Sequence, residues 1–335
     1  MKKAKAISIL CTVPLIIFFL SAAPGNAKEV KKDYHETFDV QRGDQLRLQH
    51  GDGDVHITPW DKDLIDIKVV YRADVNFIGF GQRHEFSIDF RKSGDTVYVI
   101  EKEKTGWTVG FSSIDRFEYR YDIQAPAYMI LDLEGDDGDV DVQNWLANIK
   151  CDIDDGDVRF SNVDAENIDI RAEDGDLKMI QLRTVLSIIC DDGDIEIAES
   201  TLIDCRIDME DGETRITSTA GDFEIKSDDG DIIFERSQAG KLDIRTEDGF
   251  IDLDLLASDN LDADIITDDG DVRFGLEKGF SADFYAWSDD GEIRFDLDNI
   301  SNFEETEHSK SGEINGGQTR IRIHTSDGDI TLYEK

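Results

Sequence analysis

Cysteine, positive charge and helix-length segments are all scarce in this chain, and each scarcity removes a class of protein. Only four of 335 residues are Cys. Cys11 lies in an N-terminal apolar run, and the remaining three, Cys151, Cys190 and Cys205, occupy positions that alternate with polar residues, so they read as small apolar core residues and not as a disulfide framework. Lys and Arg total 36 against 76 Asp and Glu, a formal net charge of −40. A surface this acidic repels polyanions, which excludes nucleic acid as a partner and leaves cations, basic proteins and neutral glycans. Low-complexity linkers are missing. So are His-Glu-x-x-His, Gly-x-Ser-x-Gly, a phosphate-binding loop and a Cys–His pairing with suitable spacing, which leaves no signature of a catalytic centre.

What the chain does have is a repeat. A small-turn signature recurs at Gly53, Gly138, Gly156, Gly175, Gly193, Gly212, Gly230, Gly249, Gly270, Gly291, Gly312 and Gly328, most often as Asp-Asp-Gly-Asp or Glu-Asp-Gly-Asp followed by Val or Ile. From Gly138 to Gly312 the intervals are 18, 19, 18, 19, 18, 19, 21, 21 and 21 residues. Such a period marks a stack in which no unit can bury its apolar face alone. Alignment on the glycine gives inward columns of period two: Ile149, Ile168, Leu186 and Cys205 seven residues before it, Cys151, Ile170, Ile188 and Ile207 five before. Val140, Val158, Leu177 and Ile195 stand two after it, and Val142, Phe160, Met179 and Ile197 four after. The inward parity changes across the glycine, so the chain bends there and needs a residue that tolerates positive φ.

Two short strands, a glycine corner and a return loop of about seven residues make one coil of a parallel β-solenoid. The stretches between repeats are too short for a helix of ~10 residues, which excludes a TIM barrel or doubly wound sheet. A β-propeller with two repeats per blade is the alternative architecture. The single glycine per coil and the drift from 18 to 21 residues favour right-handed winding over the left-handed hexapeptide form. The corner glycines Gly138, Gly156, Gly175, Gly193, Gly212, Gly230, Gly249, Gly270 and Gly291, continued through Gly312 to Gly328, are expected to stack in chain order into a shaft of roughly 50 Å at ~4.8 Å per coil.

Residues 1–27 carry Lys2, Lys3 and Lys5, an apolar run from Ile7 to Leu20 and small residues ending Gly25-Asn26-Ala27, the layout of a secretory signal peptide. An uncleaved anchor is the alternative. The expected location is extracytoplasmic: periplasm, cell surface or secreted.

The acids are ordered. Asp155, Asp174 and Asp192 immediately precede corner glycines and Asp157, Asp176 and Asp194 immediately follow them, so stacking turns them into ladders of like charge. Neighbours ~4.8 Å apart repel by ~0.9 kcal/mol in water, before screening by salt. Two compensations are open. Asp at turns can accept backbone N–H groups, with Arg159, Lys178, Arg215, Arg273 and Arg294 threading positive charge along an adjacent column. Alternatively, those six aspartates hold Ca²⁺. The spelling lacks the twelfth-position Glu of a calcium-hand loop and the several glycines of a calcium β-roll, which weakens the metal reading. No other cofactor is expected.

Residues 28–125 depart from the rhythm after one unit, Leu46 to Trp60. Alternating runs follow at Leu64 to Tyr71, His84 to Phe90, Thr96 to Glu101 and Arg116 to Ile123, with a hairpin turn at Ser93-Gly94-Asp95. This region is expected to cap the solenoid of residues 126–335, whose end would otherwise expose apolar cross-section and strand edges. His50 and His56 flank Gly53 at a spacing that reads as coincidence, not as a metal pair. Gly79-Phe80-Gly81 reads as a flexible loop tip. Trp107, Phe111 and Phe117 read as cap packing, with a glycan-stacking patch as the other possibility.

The run Gly53-Asp54-Val55-His56-Ile57-Thr58-Pro59-Trp60-Asp61, then Tyr121-Asp122-Ile123-Gln124-Ala125-Pro126 leading to Gly138-Asp139-Val140, then repeated Asp-Gly-Asp-Ile units, resembles the bacterial putative-adhesin family of β-strand-repeat domains. The resemblance covers about Gln41 to the C-terminus. It implies an envelope-exposed or secreted β-solenoid and brings no catalytic residue set. The reading is a non-enzymatic binding or scaffolding surface, an adhesin, whose partner is an envelope or cell-surface protein or glycan, with cations on the acidic ladders. Two alternatives stand beside it: a carbohydrate-active lyase or hydrolase on a β-helix, and a cation-loaded structural envelope module. Catalysis would need a few acids in unlike environments, whereas nearly every coil here offers the same ones.

Overall fold

The computed structural model describes residues 28–81, 85–104 and 108–335. Residues 1–27, expected as a signal segment, and Trp107 lie outside the described residues, as do the side chains of Phe111 and Phe117. Among the described residues there is no α-helix, and 26 strands join in one sheet. The inward columns fall where the alternation places them: Ile170, Ile188, Ile207, Ile225, Ile244 and Ile265 form one fully buried file, and Val140, Val158, Leu177 and Ile195 another. Cys151, Cys190 and Cys205 sit in these files as free, buried thiols. Burial pushes all three up, Cys190 to about 11, so they are unreactive packing groups.

Pairing between coils is parallel and in register, Ile149↔Ile168 and Ile168↔Leu186 before the corner, Val140↔Val158 and Val158↔Leu177 after it. This is an all-β, solenoid-like stack of coils. The corner needs glycine for two separate reasons. Gly138, Gly156, Gly175, Gly193, Gly212 and Gly249 have φ between 114° and 141°, a conformation other residues rarely adopt. Gly270, Gly291 and Gly328 do not, yet a Cβ on any of them would lie 2.0 Å from the carbonyl oxygen of the glycine stacked beside it. Close approach of backbones, not φ alone, therefore fixes the column.

The residue three before the glycine accompanies the corner form without fixing it, since Gly230 also lacks the positive φ although Ser227 Oγ makes no hydrogen bond. Where it is Ile153, Ala172, Cys190 or Met209 the glycine takes the positive φ. Where it is Thr267, Ser288 or Thr325, the hydroxyl accepts the glycine N–H of Gly270, Gly291 or Gly328 at 3.1, 2.8 and 3.0 Å, and the backbone is drawn out of that region. Thr246 follows a third course: its hydroxyl donates to the carbonyl of Asp248, and Gly249 keeps φ 114°.

The return between corners, expected as a loop, is paired. Val163 lies opposite Leu182, Asp164 opposite Arg183, and Arg183 opposite Thr201. A second corner precedes this short run, six residues after the glycine, at Asn144, Asn162, Gln181, Glu199, Ser218 and Arg236, each with φ between 48° and 57°. Just inside it, buried hydroxyls replace apolar groups over three coils. The Leu182 N–H donates to Ser200 Oγ at 2.9 Å, the Ser200 N–H to Thr219 Oγ1 at 3.2 Å and the Thr219 N–H to Ser237 Oγ at 3.2 Å. Each hydroxyl thus satisfies a backbone donor that the turn takes out of the sheet ladder.

Both ends depart from chain order. Strand Thr319–Thr325 lies between Asp262–Thr267 and Ala282–Ser288, and Ile330–Glu334 lies between Val272–Leu276 and Ile293–Asp296. The last coil is therefore inserted between two earlier ones, and the glycines stack as Gly270, Gly328, Gly291. This corrects the expected chain-order stack. Gly312 is no corner at all: it sits in Ser309–Ile314, antiparallel to Ala282–Ser288, where a Cβ would meet Ile300 and Phe284. Charge favours the insertion, since Arg320 and Arg322 arrive opposite Asp262 and Asp264, with Arg320 Nε donating to Asp262 at 2.7 Å and Arg322 Nη2 to Asp264 at 3.1 Å.

At the other end the first coil is likewise sandwiched, Gln45–His50 between Thr96–Lys104 and Ile130–Asp137, and Asp54–Pro59 between Thr108–Ala125 and Val140–Trp145. Beyond it the pairing turns antiparallel, Lys28–Asp39 against Leu64–Gly81 and that strand against Thr108–Ala125. Gly79 is paired within this ribbon, opposite Gly110, and Gly81, opposite Thr108, is the last paired residue of its strand, so the expected loop tip is strand at both glycines. Gly94, with φ 63°, turns the hairpin between Glu85–Ser93 and Thr96–Lys104. The glycine column ends here on an aromatic ring: a Cβ on Gly53 would lie 2.8 Å from Tyr119.

Candidate functional site

The residue after most corner glycines is an exposed Asp, and its carboxylate reaches along the stack. Asp54 Oδ1 accepts the N–H of Asp139 at 3.2 Å, Asp139 that of Asp157 at 3.1 Å, Asp157 that of Asp176 at 3.0 Å, Asp176 that of Asp194 at 3.1 Å, and Asp194 that of Glu213 at 2.9 Å. Asp has the reach for this and Glu does not adopt it: Glu213 turns its carboxylate to Arg215 at 2.7 Å, and the ladder stops. It resumes from Asp231 to Phe250, and from Asp271 through Asp329 to Glu292, following the inserted coil. Hydrogen bonds to the charged form of an acceptor are about twice as strong as neutral ones, which offsets part of the repulsion along the column.

Two residues further on, a second outward column carries both signs, Asp141, Arg159, Lys178, Glu196 and Arg215. Lys178 contacts Glu196, and Arg215 bridges Glu213 and, at 2.6 Å, Glu235. Between these two columns runs an open groove of about 480 Å³ that crosses five coils, with His56 at one end. It is walled by carboxylates on one side and by mixed charge on the other.

The acids on the opposite side of the corner are less well compensated. Burial, then the charges of Asp136 and Asp152, raises the carboxyl of Asp154 above the usual range. Glu173, next in that file, is raised chiefly by the charge of Asp154. Asp155, Asp174 and Asp192 stack in register and are exposed. Asp155, Asp157, Asp174, Asp176, Asp192 and Asp194 thus run along two files. Among the described residues no three or more His, Cys, Asp or Glu groups are placed to hold one metal ion.

His50 and His56 lie on opposite faces. His56 is exposed, whereas His50 is buried, its Nδ1 2.9 Å from the Gly51 carbonyl and its ring 5.7 Å from that of Tyr121. Burial lowers its imidazole to about 4, so it is neutral at pH 7. Gly135 makes the room, since a Cβ there would lie 2.3 Å from the His50 ring. Beside it, Glu101 collects the Tyr119 hydroxyl, the Tyr121 hydroxyl at 3.1 Å and the Gly51 N–H at 2.8 Å. Burial raises both tyrosines well above their ordinary value, which fixes them as neutral donors. This network closes the end of the core.

The sequence did not single out a second concavity of about 610 Å³ where the turn after Asp54–Pro59 meets Pro126 and Tyr128. A signal for it existed: Trp60 and Trp145 both stand seven residues after a corner glycine. Trp145 is fully buried with Nε1 donating to Met129 at 2.8 Å, while Trp60 is only half-buried.

One family model, described as Toastrack DUF4097, matches this chain twice, over residues 43–258 and 218–333, as repeated units permit. Three solved structures match along most of the chain. A putative cell adhesion protein from Clostridium sporogenes is 9% identical, with 91% of this chain and 100% of that chain covered and a TM-score of 0.20. A putative adhesin from Bacteroides fragilis is 13% identical, covering 91% and 97%, TM-score 0.33. A putative lipid binding protein from Parabacteroides distasonis is 11% identical, covering 92% and 98%, TM-score 0.37. No curated protein matches the chain. With its repeats, corners and both strand files inside the matched residues, the chain belongs to the Toastrack DUF4097 family.

Proposed function

We propose that this protein is a non-enzymatic binding surface of the cell envelope, exported by residues 1–27 and acting in adhesion or scaffolding. The observation that carries the reading is the groove between the Asp139–Glu213 and Asp141–Arg215 columns, which presents an outward acid at the same position on five successive coils. A surface of this kind suits multivalent contact, in which many weak sites on one partner combine. The partner class is an envelope or cell-surface protein or a glycan, with cations spread diffusely along the acidic files. In this reading residues 28–125 cap the shaft, and the coils wind right-handed.

The equivalence of the coils also argues against catalysis, which calls for acids whose environments differ sharply. Asp157, Asp176 and Asp194 have the same partners, one coil apart. The test is attachment of the purified chain to isolated cell envelopes over a salt series, together with an assay for released reducing or unsaturated sugar ends. Salt-dependent attachment without release is the expected result. Reproducible sugar release would overturn the proposal.

A further inference from the structure

The concavity at Trp60 and Tyr128 differs from the rest of the surface in both charge and chemistry. Four segments far apart in sequence build it: Arg42, Pro59 to Asp63 after the first coil, Pro126 to Tyr128, and Leu146, which is 64% exposed. Trp60 is anchored by its Nε1–H, which donates to the Leu64 carbonyl at 2.7 Å, and Tyr128 by its hydroxyl, which donates to Asp63 at 2.8 Å. Each ring carries a cation: Lys62 Nζ stands 4.2 Å from the Trp60 ring centre and Arg42 Cζ 5.2 Å from that of Tyr128. Two anchored aromatics, two prolines and an exposed leucine in a cleft of about 610 Å³ have the size and lining of a small-ligand site.

Charge narrows the ligand. The chain carries a net −40, yet this lining holds Arg42 and Lys62 against Asp61 and Asp63 and is locally neutral. The surrounding field disfavours an anionic ligand, and the balanced charges of the lining leave no net charge with which to hold an ion of either sign. A neutral ligand with one apolar face for the rings and hydroxyls for both donors and acceptors satisfies all of these constraints. We infer that the Trp60–Tyr128 cleft binds a neutral saccharide. The inference does not depend on the charged groove: the cleft shares no lining residue with it.

The test uses saturation-transfer NMR of the purified protein with chitotriose, cellotriose, maltotriose and mannotriose, and with trigalacturonate and a ten-residue proline peptide as competitors of other classes. At least one neutral trisaccharide should give transfer signals from its ring protons. Affinity should fall at least tenfold in Trp60→Ala and in Leu146→Arg, and remain unchanged in Asp169→Asn, an exposed position that lines neither the cleft nor the groove. Leu146→Arg blocks an exposed position, so it reports on the cleft even where Trp60→Ala disturbs folding. No transfer to any of the four neutral sugars, transfer unaffected by Leu146→Arg, or stronger binding of trigalacturonate or the proline peptide at this cleft would each overturn the inference.

Discussion

The Oδ1 of Asp176 accepts the backbone N–H of Asp194, one coil away, at 3.1 Å. A column of like charges is thereby also a column of hydrogen bonds, and the two effects separate by mutation. Asp176→Asn keeps the acceptor oxygen and removes the charge, so stability should be unchanged or slightly higher. Asp176→Ala removes the acceptor as well as the charge and should be less stable than Asp176→Asn by about 1 kcal/mol, the usual net value of one neutral bond. Urea melts of the two variants decide the point.

The corner column makes a sharper prediction about glycine. Gly43 has φ 95° but open space around it, so Gly43→Ala should cost only the backbone strain, about 1–2 kcal/mol. Gly270 lacks the positive φ, but its Cβ would lie 2.0 Å from the Gly249 carbonyl oxygen. Gly270→Ala must push two coils apart, and a loss of about 3 kcal/mol or more is expected. Equal effects in thermal melts would contradict the account of the corner.

The inserted last coil predicts an unusual pattern of stability at the C-terminus. Strand Thr319–Thr325 is paired on both sides, while among the described residues Ile300–Glu305 is paired only to Ser309–Ile314. Amide hydrogen exchange should therefore show residues 320–325 protected for longer than residues 300–305, although they lie nearer the chain end. Removing residues 319–335 should disrupt strands Ala282–Ser288 and Asp262–Thr267 together.

Much of this architecture was legible because it repeats. The files through Ile188 and Val158 and the glycine corners follow from period-two alternation and a fixed interval. The second corner was not legible, since Asn144, Gln181, Glu199 and Arg236 share a backbone conformation but no side-chain chemistry. The insertion was hidden for the opposite reason. The unit at Gly328 is so like its neighbours that sequence cannot say whether it follows Gly291 or enters between Gly270 and Gly291, and the Ser-Gly-Glu-Ile around Gly312 imitates a corner while forming a hairpin strand. At the charged groove, the acid column could be read directly, but its backbone partners could not.

Acid titration should expose His50. Its imidazole is lowered to about 4 in the fold against an ordinary value near 6.5, so the unfolded chain binds the extra proton between those values. Stability from this group is complete above 6.5 and is lost as pH falls towards 4, by ~2 kcal/mol at pH 5. Asp154 and Glu173, raised in the fold, act in the other sense: their contribution is present below the ordinary carboxylate range and is lost as pH rises through their raised values. His50→Phe should therefore flatten the decline between pH 6.5 and 5, read from urea midpoints at each pH. A wild-type curve already flat over that range would count against a buried neutral His50.

The central claim is that the charged groove works as a repeated surface and not as a single centre. A coil-by-coil scan tests it most directly, replacing Asp157, Asp176 and Asp194 by Asn singly and in pairs and measuring attachment of each purified variant to cell envelopes alongside release of sugar ends. The account predicts that every single change weakens attachment by a similar, modest factor, that pairs weaken it further, and that no sugar is released by any variant or by the wild type. Loss of function by orders of magnitude at one coil, with the other coils indifferent, would contradict it.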